Sequence, residues 1–277
     1  AGDESSNLTD QQYEDAVARG TEHCRRGDVF QVVLSREFKQ GFKGDEFNVY
    51  RSIRSINPSP YLFYFDYGNF KLFGSSPELQ ISVRDNQAVI APIAGTVKRT
   101  GNAQDDFRLA KEMRDNPKEI SEHIMLVDLA RNDLSRSAEK VKVDTYAETQ
   151  YYSHVIHMVS KVTGALLKGK NSLDLYFDTF PAGTLTGAPK HMAMQLIEKY
   201  ESSKWSFYGG AIGFIGFDYS YNHAIIIRSF LIKNKKLFFQ AVAGIVSKSS
   251  KINELNEVNN KVRALKKSIE QAEKYEE

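Results

Sequence analysis

Cysteine is nearly missing from this sequence. The one thiol, Cys24, excludes an intrachain disulfide and a metal site built from several cysteines. A surplus of either charge is missing too: 37 Lys and Arg face 35 Asp and Glu, for a net charge of +2. That balance argues against broad nucleic-acid binding and against a polybasic membrane surface. No apolar run approaches the roughly 18 residues of a membrane-spanning helix. The first fifteen residues, AGDESSNLTDQQYED, are polar and acidic, unlike a signal peptide. A cytoplasmic setting is the expectation. Low-complexity linkers and clear internal repeats are also absent. Residue 1 is Ala rather than Met, which points to a processed chain or to one cut from something longer.

What is present is a globular profile, 41% hydrophobic and 26% charged over 277 residues. The length allows one large domain or two ordinary ones. Thr9 with Gln12 three residues on has capping-box spacing. It predicts a helix through Tyr13, Ala16, Val17 and Cys24 that Gly27 stops. Strands are predicted at Val29–Phe38, Tyr61–Asp66, Phe70–Phe73, Leu79–Arg84 and Gln87–Pro92, with turns at 67–69 and 85–86. A long helix is predicted from Pro117 to about Asn132. Its stretch His123–Ala130 is apolar on nearly every side, the pattern of a buried helix. A strand over Ser153–Ala165 and a helix from Pro189 to Tyr200 follow. Further strands are expected at Gly209–Gly216, Ala224–Ile232 and Lys236–Val246. The last helix, from Ile252, spaces Leu255, Val258, Val262, Leu265, Ile269 and Ala272 by steps of three and four. Strands and helices without regular βαβ alternation predict an α+β fold with largely antiparallel sheets.

Four groups of residues carry chemistry. Glu119 and Glu122 share a helix face that continues into apolar Leu126 and Ala130. Spacing alone reads most simply as two surface carboxylates. The apolar continuation suggests instead that they enter an interior or cleft, where a cation must compensate them. Glu254 and Glu257 repeat the spacing, with Lys261 four residues beyond Glu257. The plain reading is an i,i+4 surface ion pair. Two such pairs on different helices raise the alternative of Mg²⁺, which favours carboxylate oxygens and keeps exchangeable waters. Zinc lacks a His or Cys set, His123 being the one candidate ligand.

Arg228 lies within NHAIIIRSF, where strand alternation puts it on the face of Ala224 and Ile226. There it needs a carboxylate or phosphate partner, and a structural Asp or Glu would serve. Finally, glycine-rich turns occur at 93–96, 183–190, 208–210 and 243–244. The stretch Thr186–Pro189 precedes a helix, and helix N-termini bind anions. It lacks the Gly-Lys-Ser/Thr ending of a P-loop. None of the six histidines pairs with Ser or Cys in a nucleophile motif; His154 and His157 would lie on opposite faces of a strand. The residues alone thus reach a carboxylate site for Mg²⁺ and a set of groups for an anionic small molecule.

With these residues assembled, the sequence resembles the chorismate-utilising enzymes, nearest the anthranilate synthase branch and its large subunits. The resemblance runs from about Gly27 to Ala272. It is carried by GDVFQVVLSR (27–36), NPSPY (57–61), GSSPE (74–78), PIAGT (92–96), KEISEHIMLVDLARNDL (118–134) and SHVIHMVSKVTG (153–164). FPAGTLTGAPK (180–190), YGGAIGF (208–214), IIIRS (225–229), QAVAGIV (240–246) and ELNEVNNK (254–261) complete it. It implies antiparallel sheets packed as a sandwich with helices outside, and a single chorismate-binding domain over 1–277.

It also implies roles. Mg²⁺ would be bound directly by Glu122 and Glu257 and through waters by Glu119 and Glu254. Tyr208, Arg228, Lys261 and the Gly244 backbone would hold substrate carboxylates. Thr96 would lie in the substrate turn, and Thr186 in the loop ahead of the helix would bind substrate as well. Glu78 would protonate the departing C4 hydroxyl, a role that calls for a raised pKa. His157 would serve the later loss of pyruvate. Asn57, Pro58, Ser59, Pro60 and Tyr61 would be one half of a tryptophan feedback site, whose other half belongs to an N-terminal region this chain does not include.

Two positions discriminate within the family. Members that add water carry a lysine base where this sequence has Gln31. Members that make 4-amino-4-deoxychorismate carry a nucleophilic lysine where it has Ala94, which cannot attack. The expected reaction is amination of chorismate at C2 by ammonia, then pyruvate loss to give anthranilate, the first step of tryptophan biosynthesis. The glutamine amidotransferase that supplies ammonia would be a separate subunit, giving a hetero-oligomer in the full-length form. The alternatives are 4-amino-4-deoxychorismate formation and a non-catalytic chorismate-binding fragment. Val242 stands where the family motif usually has glycine, and Ser247-Lys248-Ser249 replaces a segment that usually includes aspartate.

Overall fold

The structure, a computed structural model, describes residues 2–152 and 155–275. In chain order the elements are β1 (Glu4–Ser6), α1 (Asp10–Arg26), β2 (Gln31–Gly41), α2 (Glu46–Ile56), β3 (Tyr61–Asp66), β4 (Lys71–Ser76), β5 (Leu79–Arg84) and β6 (Gln87–Ile90). Next come β7 (Ile93–Lys98), α3 (Ala103–Asp115), α4 (Pro117–Leu134), β8 (Ala138–Tyr151), β9 (Val155–Leu166), α5 (Ser172–Thr179), α6 (Gly183–Thr186) and β10 (Gly187–Ala188). Last are α7 (Lys190–Tyr200), β11 (Ala211–Ile215), β12 (Tyr221–Ile225), β13 (Ser229–Lys233), β14 (Lys236–Ile245) and α8 (Lys251–Ala272), with a 3₁₀ turn at Glu273–Tyr275. Every strand pairing described is antiparallel. The α+β class read from the sequence is the class observed.

The chain divides into two compact units. Unit 1 comprises Ala1–Pro77, Pro181–Ala211 and Ile225–Glu277; unit 2 comprises Glu78–Phe180 and Ile212–Ala224.

Unit 1 is built on a seven-stranded sheet in the order β1-β2-β14-β13-β4-β3, with β10 added to β2. The β2–β14 ladder runs from Gly41↔Lys236 to Val32↔Ile245. One sheet face packs Val32, Leu34, Phe38, Phe73, Phe230, Phe239, Ala241 and Ile245 against α1, α2, α7 and α8. Helix α1 begins as expected: the Thr9 side chain accepts from the Gln12 N–H, and the Gln12 side chain accepts from the Thr9 N–H. Gly27 ends it at φ 81, a conformation glycine adopts without a Cβ penalty. In α8 the whole predicted stripe from Leu255 to Ala272 is buried. Full burial of Val258, Val262, Leu265 and Ile269 stabilises by about 1.5–3 kcal/mol each.

Unit 2 is built on a sheet in the order β11-β12-β5-β6-β9-β7, with β8 also paired to β9. Helix α4 lays Val127, Ala130 and Leu134 on Ile81, Val83, Val162 and Leu166. Asn116 caps α4 by accepting from the Lys118 N–H, and Pro117 occupies the first turn, where its missing N–H costs nothing.

Several expectations are corrected. The stretch His123–Ala130 is not buried all round: Ile124 is 45% exposed, and burial falls on His123, Leu126, Val127 and Ala130. Residues 93–96 are not a free turn but the start of β7, and α2, α3, α5 and β8 fill stretches that the sequence reading left unassigned. The strand expected at Val29–Phe38 is β2, which begins at Gln31 and extends to Gly41, and Phe70–Phe73 becomes β4, Lys71–Ser76.

The expected strand Ala224–Ile232 is broken. Ile226 leaves the ladder to bond the 208–210 turn: Gly209 N–H donates to Ile226 O at 2.9 Å, and Ile226 N–H to Gly210 O at 2.8 Å. Arg228 then takes φ 50, so strand alternation does not place its side chain. Ser153 and His154 lie outside the described residues, so the expectation about His154 has no structural counterpart.

Candidate active site

In unit 1 the site begins at Gln31, the first residue of β2. Its backbone is crossed by Gly187 of β10: a Cβ on Gly187 would lie 2.1 Å from Gln31 O, and its φ is +118. Its side chain lies over Gly244 of β14, where a Cβ would come within 2.4 Å of Gln31 Nε2. Gly187 is therefore required for the fit, whereas a side chain at Gly244 would have to displace the amide end of Gln31. Gln31 is buried, and its Oε1 has no hydrogen-bond partner, an acceptor left open where such groups are normally satisfied. Thr186, also buried, donates its hydroxyl to Ala182 O at 3.2 Å.

Lys261 on α8 reaches Val242 O at 2.9 Å and Glu257 Oε1 at 2.6 Å. The plain reading of Glu257 and Lys261 as an i,i+4 ion pair is thus present in the structure. Glu254 is buried while Glu257 is half-exposed. The charges of both act on the buried Tyr13, whose hydroxyl donates to Leu34 O. Burial first, then the charges of Glu254, Glu257 and Glu201, hold that phenol well above its ordinary pKa. Val242 is accommodated in a small apolar cluster with Val33, Leu185 and Ile225.

Arg228 is tied to the NPSPY segment. Its Nη1 donates to Asn57 Oδ1 at 3.5 Å, Ser75 Oγ donates to Asn57 O at 2.5 Å, and Ser75 N–H donates to Arg228 O at 3.1 Å. Asn57 Nδ2 is buried without a partner. Pro58 and Pro60 are exposed, while Ser59 and Tyr61 are partly covered; burial raises the Tyr61 phenol. Tyr208 stands edge-on to Trp205, with ring centroids 5.6 Å apart.

The sequence reading missed Glu201, at the end of α7. Its carboxylate accepts from Ser35 N–H at 2.6 Å, from Ser35 Oγ–H at 2.7 Å and from the Trp205 indole N–H. Burial pushes its pKa up against the pull of those donors. No local signal marks it, because Ser35 lies far away in sequence. Unit 1 also carries two open clefts. One of about 260 Å³ lies beside Lys43, Glu46, Lys71 and Lys235, and one of about 240 Å³ beside Trp205, Phe207, Leu231 and Gln240. Neither is lined by Gln31, Arg228, Gly244 or Lys261.

In unit 2 the structure joins Thr96 with His157 and places Glu119 beside Gly95. Thr96 on β7 pairs with His157 on β9, and Thr96 Oγ1 lies 2.9 Å from His157 Nδ1. His157 is buried and meets the edge of Tyr152 at 5.4 Å. A bulge next to Thr96 puts Gly95 at φ +71, where a Cβ would lie 2.9 Å from Met113 Sδ and 3.2 Å from Glu119 Oε2. Glu119 and Glu122 are partly covered, and Glu122 lies 3.8 Å from Lys118 Nζ. Next to Glu122 in sequence, His123 is fully buried, with Nε2 2.6 Å from Ser160 Oγ and Nδ1 without a hydrogen-bond partner. Burial lowers its pKa. Glu78 is partly covered at the start of the unit, between β4 and β5. Paired carboxylates are the donor type Mg²⁺ prefers. Among the described residues, however, no group of three or more His, Cys, Asp or Glu comes together to hold a metal ion. Also among them, no helix is long and apolar enough to cross a membrane.

The chain belongs to the chorismate binding enzyme family, whose sequence profile matches residues 1–267. It is 44% identical over 274 residues to anthranilate synthase component 1 of Aquifex aeolicus (strain VF5), covering 98% of this chain and 56% of that relative. It is 45% identical over 269 residues to anthranilate synthase component 1 of Saccharolobus solfataricus, covering 96% of this chain and 63% of that relative. Among solved structures, anthranilate synthase component I from Streptococcus pneumoniae TIGR4 superposes with a TM-score of 0.88 at 37% identity, covering 95% of this chain and 59% of that one. The chain spans little more than half the length of the relatives it matches.

Proposed function

We propose that this chain is the chorismate-binding catalytic part of an anthranilate synthase large subunit, converting chorismate and ammonia to anthranilate and pyruvate. The observation that carries the reading is Gln31: a neutral amide, buried, with its Oε1 unpartnered. Ammonia is already a nucleophile and needs no base, and an open carbonyl oxygen can take one of its N–H groups. A water nucleophile would need the base that glutamine cannot be. Ala94, buried and without a nucleophilic atom, argues against the 4-amino-4-deoxychorismate route.

In the proposed sequence, ammonia forms the C–N bond at C2 while the ring double bonds shift and the C4 hydroxyl leaves. Glu78 gives that hydroxyl its proton, so water departs and 2-amino-2-deoxyisochorismate remains. His157, oriented by Thr96, then serves the elimination in which the enolpyruvyl group leaves as pyruvate and the ring becomes aromatic. Tyr208, Arg228, Lys261, Thr186 and the Gly244 backbone bind the anionic substrate.

Mg²⁺ is the proposed cofactor, with Glu119, Glu122, Glu254 and Glu257 as the carboxylates assigned to it; when bound it would offset the charge of a substrate carboxylate. Residues with assigned roles occur in both units, and the reading takes 1–277 as one catalytic domain. Ammonia would come from a separate glutamine amidotransferase subunit, in the cytoplasm.

The test is a product assay with chorismate, Mg²⁺ and ammonium at mildly alkaline pH. Fluorescent anthranilate is expected; isochorismate or salicylate would overturn the Gln31 argument. Val242, in place of the usual glycine of the family motif, motivates one second reading, a module that binds chorismate without turnover. Calorimetric binding with no product would select it.

A further inference from the structure

Glu201 has no assigned role, yet it joins segments that carry candidate substrate residues. As the C-cap of α7 it is held by its own backbone N–H, which donates to Ile197 O at 2.9 Å. Helix α7 is in turn anchored by Ala193 and Leu196 in the main core. The carboxylate is therefore delivered from a fixed platform. Two of its donors come from Ser35 on β2, the strand that begins with Gln31. Ser35 Oγ also accepts from Gln240 Nε2 at 2.5 Å, which brings in β14, the strand of Gly244. The third donor is the Trp205 indole.

Trp205 shapes the turn that follows it. Its carbonyl accepts the Tyr208 N–H at 2.9 Å. Its ring stands edge-on to the Tyr208 ring. Gly209, at φ +72, has room for only a hydrogen, because a Cβ there would lie 2.9 Å from Trp205 Cε3. The indole is thus a stop against which Tyr208 and Gly209 rest.

We propose that Glu201 is a positioning residue for the substrate site: its carboxylate locks the Trp205 indole, and the locked indole fixes Tyr208 and the Gly209–Gly210 backbone. The proposal rests on the reading above only where it takes Tyr208 as a substrate contact. Three donors converge on the carboxylate, which can accept them all. An amide in its place offers a single acceptor oxygen and turns an N–H toward donors.

The sequence has one tryptophan, so intrinsic emission reports Trp205 alone. In the full chain, Glu201→Gln should shift that emission without ligand and speed amide exchange at Gly209 and Gly210. With chorismate varied, KM should rise roughly tenfold while kcat stays within about twofold, the signature of lost ground-state positioning. Trp205→Phe, which keeps an aromatic ring but loses the N–H, should raise KM to a similar degree. The double variant should be no worse than either single one, since both break one chain of contacts. Glu201→Asp should restore part of the emission and of KM. Unchanged emission and exchange in Glu201→Gln, or additive losses in the double variant, would overturn the proposal. If the unaltered chain neither binds nor turns over chorismate, the functional reading fails instead, and emission and amide exchange alone decide the Glu201–Trp205 lock.

Discussion

Thr96 and His157 face each other across neighbouring antiparallel strands, hydroxyl oxygen to imidazole Nδ1 at 2.9 Å. A hydroxyl both donates and accepts, so it serves the ring in either tautomer and restricts its rotation. Thr96→Val keeps the shape and removes that partner. Pyruvate elimination should slow about tenfold, in line with one lost hydrogen bond to an acting group. Chromatography of the reaction should then reveal 2-amino-2-deoxyisochorismate building up ahead of anthranilate. An unchanged product ratio would detach Thr96 from the histidine's work.

Two glycine substitutions should differ sharply. Gly27→Ala adds a methyl at φ 81 where nothing lies within 4 Å, so only the left-handed backbone penalty applies, about 1 kcal/mol. Gly187→Ala adds a methyl 2.1 Å from Gln31 O at φ +118. The backbone must part there, at about 3 kcal/mol or more. Urea unfolding of both variants measures the gap; equal midpoints would mean the β2–β10 crossing is softer than described.

Glu257→Gln separates stability from function. The Glu257–Lys261 pair is 44% and 39% exposed on its two side chains, and such pairs contribute about 0.5 kcal/mol or less. The thermal midpoint should barely move, while Mg²⁺-dependent turnover is lost. Full turnover at ordinary Mg²⁺ would remove Glu257 from the proposed metal set.

His223, on β12, gives a pH prediction. It packs against Tyr221 at 3.9 Å between ring centroids and against Tyr176, and its Nδ1 is buried without a partner. Burial pulls its pKa down to about 4. Above the unfolded value near 6.5 the ring is neutral in both states and this site adds no penalty. As pH falls from there through about 4, the unfolded chain takes up the proton first, and stability drops by on the order of 2 kcal/mol. His223→Phe should flatten this part of the urea-midpoint profile between pH 7 and 4. A parallel profile would show that the ring charges freely in the folded state.

The parts legible in the sequence were those whose cause is local. The Thr9–Gln12 cap, the α8 stripe and the strands Tyr61–Asp66 and Leu79–Arg84 depend on neighbours within a few residues, and they stand where the sequence put them. Helices α2, α3 and α5 carried comparable cap signals in Asp45, Asn102 and Asn171, but their short apolar faces made no obvious stripe. The break at Ile226 was not legible, because it answers a turn at 208–210. Nor was Glu201, whose donors sit on β2 and in the turn after α7. Family motifs named Thr96 and His157 singly; only the β7–β9 register shows that they touch.

One feature of the topology bears on how the chain is made. Unit 2 falls inside the span of unit 1, and β2 finds its long partner only in β14. As the polypeptide emerges from a ribosome, most of unit 2 is complete while β2 still shows a bare, apolar edge. Val32 and Leu34 wait for a strand made only after unit 2, and then for α8 to cover it. Such distant closure is slow, and an uncovered edge invites association with other chains. The last third of the sequence therefore governs whether the first third stays soluble during synthesis, so a stop codon ahead of β14 strands a sticky nascent sheet rather than releasing a smaller working protein.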